Sequence, residues 1–462
     1  MDRVDTEAQA TLLGKAKARA PVVAGGRDGV TAEGLRAAVE GLSSSRREPE
    51  WLLHLRRSAL KTYSSLPLPD RVGHLWRYTE PERFVPGGVP SPPEAPGGRP
   101  RPSELPPELA APLAAGDLAG AALVASGKLG QVTVDARLAR AGVVIEDLHQ
   151  AARTRPDLVR RHLGALVPPG KFEALNAALW RGGLLIHVPP GIEVEKPLHL
   201  LNLVEGGPLE APRVLIVVEE GSSLTVIDEY AGGEHAREVQ VYAVVEAFAG
   251  PSARLRHILI QRLGHGATIH LAQRSRLLRD AKLVSVVASL GASVAKADLG
   301  TLLEGQGAEV ELTGFLFGKG RQHFDHHTVH DHRAPHTLSD LDFKVVLKDR
   351  SRSAYTGLIR IAPEAPSSEA YQENRNLFLN EGVKAESIPE LEILTDEVMC
   401  THGATMGSLD PEHLFYLASR GIPRREAARM IVGGFIEPTL NRLPEDLRER
   451  LRVQVEAGLE SI

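Results

Sequence analysis

From Thr31 to about Leu66 apolar side chains recur at helical spacing: Leu35, Val39 and Leu42, then Trp51, Leu52, Leu55, Leu60 and Tyr63. Residues three and four apart share one helix face, so this stretch is predicted to be helical. Leu66-Pro67-Leu68-Pro69 ends it, because proline brings no amide donor and its ring disfavours a helical predecessor. The stretch from Pro86 to Pro107 is too dense in Pro and Gly for a regular element and reads as a linker or surface arm. Helical patterns return over Ile145–Leu163 and Lys171–Trp180, the second opened by Pro168-Pro169-Gly170 and closed by Gly182-Gly183.

From Leu184 to about Met406 the texture changes to short runs of Val, Ile, Leu and Thr separated by Gly, Asp, Pro and Glu turns, the mark of strands. Comparable turn-then-strand junctions fall at Ser223, Ala253, Ala281, Ala308 and His336, at steps of 30, 28, 27 and 28 residues. A fixed period of that size suits the stacked coils of a β-solenoid, each burying its face on the next; evenly spaced strands of a sandwich or barrel are the alternative. After Asp410-Pro411-Glu412, an N-cap with proline at the first helical position, a helix runs to Gly421. A second starts at Pro423 with Ala427, Ala428, Ile431, Val432 and Phe435 on its apolar side, and a third carries Leu447, Leu451, Val455 and Leu459. Three short helices enclose little core, so their apolar stripe is expected to pack on the solenoid end or on another protein. The division expected is therefore 1–85 helical, 86–120 linker, 121–182 helical lead-in, 183–408 solenoid and 409–462 terminal helices.

Composition narrows the function classes. A net charge of −5 gives no positive field for nucleic acid or anionic lipid, so neither is expected as a partner. No run of about 18 apolar residues occurs, and Met1-Asp2-Arg3-Val4-Asp5 lacks the basic and apolar regions of a signal peptide. With Cys400 as the only cysteine, no internal disulfide or all-cysteine metal site can form, and a reducing, cytoplasmic setting is expected.

Two constellations could carry chemistry. His323, His326, His327, His330, His332 and His336 crowd fourteen residues, and neutral imidazole ligates transition metals. On an extended strand His326, His330 and His332 share one face, and His323 and His327 the other. The spacing fits no helical two-histidine zinc motif, so a polar, partly exposed solenoid face is the alternative. In Cys400-Thr401-His402 the thiol and imidazole lie side by side on one strand face, where an imidazolium lowers a thiol's pKa; a buried, inert Cys400 is the alternative. There is no Walker loop, GxSxG elbow, HExxH helix or CxxC pair, so ATP hydrolysis or other catalysis by this chain is not expected.

From Phe343 to Phe435 the chain, including TGLIRIAPEAPSSEAYQENRNLFLNEG, IPELEILTDEVMCTHGATMGSLD and LFYLASRGIPRREAARMIVGGF, resembles the SufB/SufD family of iron-sulfur cluster assembly scaffolds. Trp76-Arg77-Tyr78-Thr79 is similar to an N-terminal motif of that family, while residues 1 to 60 carry little of the likeness. The resemblance implies a mainly β protein: a right-handed parallel β-helix flanked by N-terminal and C-terminal helical domains. It implies a heterodimer with a SufB-like paralogue through the β-helices and a SufC-like ATPase on the C-terminal helices, with Phe415, Arg424, Arg425, Ile431 and Phe435 as docking residues. Val383 stands where SufB-like chains carry a cysteine, and Cys400-Thr401-His402-Gly403 is similar to the SufD form, with Thr where Ser is expected. His402, with Cys400 second, is then the implied ligand of a transient iron-sulfur cluster shared with the partner, and His326, His330 and His332 are at most passing iron contacts. A stand-alone histidine-rich metal binder and a β-helix polysaccharide enzyme are the competing readings, the latter opposed by aromatics at 4%.

Overall fold

The computed structural model describes residues 30–89, 101–114, 117–168, 170–233 and 239–459. The chain's first five residues and the centre of the Pro/Gly-rich stretch, 90–100, lie outside these. The helices are α1 (Ala32–Arg46), α2 (Glu50–Ser65), α3 (Pro107–Ala114), α4 (Ala136–Arg140), α5 (Leu148–Thr154), α6 (Pro156–His162), α7 (Lys171–Leu179), α8 (Pro411–Ser419), α9 (Arg424–Leu440) and α10 (Glu445–Gly458). The strands before the repeat are β1 (Gly120–Ala125), β2 (Lys128–Val134) and β3 (Val144–Asp147). The repeat runs through β4 (Leu184–Val188), β5 (Leu198–Val204), β6 (Leu209–Glu210), β7 (Arg213–Val218), β8 (Ser223–Gly232), β9 (Val239–Ala249), β10 (Arg254–Arg262), β11 (Ala267–Leu277) and β12 (Lys282–Ser289). It continues with β13 (Val294–Leu303), β14 (Glu309–Gly318), β15 (His323–His332), β16 (Leu338–Leu347), β17 (Arg352–Ile361), β18 (Ser368–Phe378), β19 (Lys384–Ile393) and β20 (Val398–Ser408).

These strands form two facing sheets, in order β2-β1-β5-β8-β10-β12-β14-β16-β18-β20 and β19-β17-β15-β13-β11-β9-β7-β4-β3. Each coil gives one strand to each sheet, and coil stacks on coil in parallel register, so the solenoid expected from the repeat is the observed fold. The register places Ser222, Ala253, Ala281, Ala308, Thr337 and Ser368 in one ladder of small, buried residues, at steps of 31, 28, 27, 29 and 31. Ser223 and His336 therefore miss the ladder by one. His336 instead occupies the left-handed corner just before it, at φ 56°, with Ser252, Asp280 and Ser367 in the equivalent corners at 57°, 56° and 57°. Short polar residues tolerate that conformation by bonding locally, and the small residue after it lets the chain turn tightly into the core.

The segment 121–182, expected to be a helical lead-in, begins with strands. Gly120–Ala125 is apolar on both faces and extends the first sheet beside β5, where a continuous apolar run is what burial demands. Ser126 and Gly127, both at positive φ, form the two-residue turn that folds β2 back antiparallel. Ile145 lies in β3, not in a helix; Asp147 then caps α5, accepting from the amides of His149 and Gln150.

Two helical layers cover the outside. Leu35, Val39, Leu52, Leu60, Leu175 and Leu179 pack with Leu215, Val217, Tyr242 and Phe248 on the outer face of the second sheet. Arg56 locks this layer: fully buried, it pairs with Glu48 at 2.8 Å and donates to the carbonyls of Ala178 and Trp180. The C-terminal helices lie along the outer face of the first sheet, not at the solenoid end. Val432, Ile436, Leu447, Leu451 and Val455 cover Ile258, Ile260, Phe315 and Phe317. Each fully buried side chain in such a seam contributes about 1.5–3 kcal/mol.

Candidate functional site at the open end of the solenoid

The N-terminal end of the solenoid is closed by the β1–β2 hairpin and β3, but the last coil, β19 with β20, ends both sheets and pairs on one side only. Leu391, Ile393, Leu394, Met399 and Met406 there are 37–56% exposed, an apolar rim around two free strand edges. Cys400 and His402 sit on β20, opposite Ala370 and Gln372 of β18. Both lie on one strand face, as the sequence suggested, and the burial of Ala370 and Gln372 beside them makes that face the inner column of the coil. His402 is exposed; Cys400 is half-buried against Ile359, Ile361, Ala365 and Ala370. Burial pushes the Cys400 thiol up from its ordinary range, the direction of the buried-cysteine alternative and opposite to the lowering an imidazolium would bring. One thiol and one imidazole thus lie side by side on the last strand of the first sheet.

The histidine-rich strand is different from both readings of it. On β15 Phe324, His326, Thr328, His330 and His332 point into the solenoid, and the three inward histidines are buried. His326 hydrogen-bonds with Ser289 at 2.9 Å, and His332 with Thr337 and Ser339 at 2.7 and 2.9 Å. Burial holds His326 and His330 down to about 3 and His332 to about 4, so all are neutral core groups. They are not placed to meet iron from solution. Among the described residues no three His, Cys, Asp or Glu side chains are arranged to hold a metal ion.

The opposite face of β15 carries a polar network that the sequence only hinted at through Trp76-Arg77-Tyr78-Thr79. Thr79 donates to Asp325 and shares a 2.8 Å hydrogen bond with His323. Asp325 also takes Lys296 at 3.1 Å and His327 at 3.0 Å. Trp76 stacks on His270, whose Nε2 lies 3.6 Å from Glu173 of α7. The segment around Trp76 is thereby strapped across the solenoid flank.

Of the docking residues expected on the C-terminal helices, Phe415 is 77% exposed and Arg424 and Arg425 are also exposed. Ile431 and Phe435 are half-buried: Ile431 packs on Leu414, Ala427 and Ala428, and Phe435 packs against the solenoid seam. Tyr416 and Met430, 56% and 51% exposed, add to the open surface of these helices. No described helix is long and apolar enough to cross a membrane.

Residues 202–435 match the SUF system FeS cluster assembly, SufBD core domain, and residues 121–200 match the SufBD protein N-terminal region. The iron-sulfur cluster assembly protein SufB of Bacillus subtilis is 30% identical over 415 residues, covering 88% of this chain and 89% of the relative. An iron-sulfur cluster assembly SufBD family protein of Staphylococcus saprophyticus is 28% identical over 420 residues, and one of Staphylococcus epidermidis 27%, each with the same coverage. With both domains matched in order along a β-solenoid flanked by helices, the chain belongs to the SufBD family of iron-sulfur cluster assembly proteins.

Proposed function

We propose that this chain is a SufD-like, non-catalytic scaffold subunit that contributes half of a cluster-building site to a complex with a SufB-like paralogue and a SufC-like ATPase. The observation that carries the reading is the placement of Cys400 and His402 on the inner column of an edge strand that is paired with β18 on one side and open on the other. Iron-sulfur clusters are held mostly by thiolates, and a chain with one cysteine cannot complete the set. The cluster is cargo, held transiently and shared. Pairing through the β19 and β20 edges would satisfy their open hydrogen-bonding groups and cover the apolar rim. The exposed Phe415, Tyr416, Arg424 and Arg425 suit the ATPase contact, since aromatic and arginine side chains make strong anchors. The lone thiol suits a reducing compartment, and we place the complex in the cytoplasm.

A SufB-like role is the second reading, favoured by the Bacillus subtilis relative's name. Val383 in place of a cysteine, and Cys400-Thr401-His402-Gly403, favour the SufD side. Co-expression with a cysteine-richer paralogue and the ATPase tests the proposal. His402→Ala is expected to lower the cluster content of the purified complex while subunit stoichiometry stays intact. Disassembly of the complex would make His402 a structural residue instead, and assembly of active complex without a paralogue would exclude the SufD role.

A further inference from the structure

One coil inward from His402, Gln372 occupies the neighbouring position on β18, on the same inner column. It is 3% exposed. Its amide orientation is set from below: Nε2 donates to the Gly357 carbonyl at 3.2 Å, and the reversed amide would oppose two oxygens there. Oε1 therefore turns away from Gly357, and it is a buried acceptor with no donor among the described residues. Leaving such an acceptor unpaired forfeits its hydration without a hydrogen bond in return.

The shelf beneath the amide is rigid. A Cβ on Gly357 would stand 2.5 Å from both Gln372 Nε2 and Tyr355 Oη, so only glycine admits this approach. Tyr355 Oη is itself tied to Thr328 Oγ1 at 2.8 Å. Above the shelf, the exposed His402 imidazole makes no hydrogen bond with a described residue. An unpaired buried acceptor and an unheld imidazole thus adjoin in register.

We propose that Gln372 is a positioning residue of the half-site: its Oε1 accepts the imidazole N–H of His402, so that the other ring nitrogen presents its lone pair to the cargo metal. This rests on His402 as a ligand, the reading proposed above. Neutral imidazole has one donor and one acceptor nitrogen, and a metal-ligating histidine almost always gives its N–H to a carbonyl or carboxylate oxygen, which fixes tautomer and ring orientation. Gln372 supplies that oxygen from the preceding coil.

The test uses the full complex loaded with cluster. Pulsed EPR on the reduced cluster reads the nitrogen couplings of a histidine ligand, and a chelator challenge reads cluster retention. Loss of those couplings in His402→Ala establishes the ligand; their absence from the unsubstituted complex overturns the ligand reading and this proposal with it. With the ligand established, Gln372→Met is expected to alter the remote-nitrogen signal and to speed cluster loss about tenfold or more. Gln372→Glu, which in its protonated form keeps both the donor toward Gly357 and the acceptor toward His402, is expected to restore signal and retention. If Gln372→Met shows the unsubstituted spectrum and retention, Gln372 does not position His402 although His402 remains a ligand. If Gln372→Met fails to assemble, Gln372→Glu decides: a retained remote-nitrogen signal supports the proposal, and an altered one overturns it.

Discussion

Inside β15, His330 is buried with both ring nitrogens unpaired among the described residues, and burial holds it down to about 3. In the unfolded chain the same group titrates near 6.5. The unfolded state therefore binds more protons below that pH, and the native state loses up to about 1.4 kcal/mol per pH unit for each such histidine as pH falls toward 3. His330→Leu is expected to leave stability at pH 7 unchanged or slightly raised, since no hydrogen bond is lost, and to flatten the loss of stability between pH 6.5 and 4. Denaturant titrations at pH 7 and pH 5 check it; a large destabilisation at pH 7 would mean that His330 has a partner. At this scale the sequence was half legible. Alternation sorted the histidines into two faces, but period 2 does not say which face looks inward. Likewise Cys400 and His402 could be placed side by side, whereas the raised thiol depends on Ile359, Ile361 and Ala365, residues from an earlier coil.

Among the elements, the seam joining α7 and the Trp76 segment to the solenoid has its own pH dependence. Burial, and next the charge of Asp298, raise the Glu173 carboxyl to about 7; Arg274 and Lys296 oppose this, and His270 faces it at 3.6 Å. A carboxyl raised in the native state favours folding below its unfolded pKa near 4.5, and that contribution disappears as pH rises through 7. The seam is therefore expected to open more readily at pH 8 than at pH 6, and Glu173→Gln to remove the difference. Hydrogen exchange across residues 73–86, corrected for intrinsic rates, measures this; equal opening in the unsubstituted protein at both pH values would contradict it. The solenoid was legible because each coil repeats the same corner, as Ala253, Ala281 and Ala308 show. The strands β1 and β3 were not, because their short apolar runs fit a buried helix as well as a buried strand until β5 and β4 stand beside them. An amphipathic stripe such as Leu447, Leu451 and Val455 shows that α10 must be covered without naming the sheet that covers it.

For the whole molecule, helices shield both flanks and a hairpin closes the first coil, so the described structure leaves its last coil as the uncovered end. An uncovered parallel edge with exposed Leu391, Ile393, Met399 and Met406 is a liability unless a partner completes it. On the function proposed above, Cys400 and His402 on the same edge would give that partner its chemical role. The most direct measurement is iron and sulfide bound after anaerobic reconstitution and gel filtration, on this chain alone and on its complex with a cysteine-richer paralogue. A half-site shared with a paralogue should leave cluster on the complex and none on the chain alone; a stoichiometric, stable cluster on the isolated chain would show that no second polypeptide is needed.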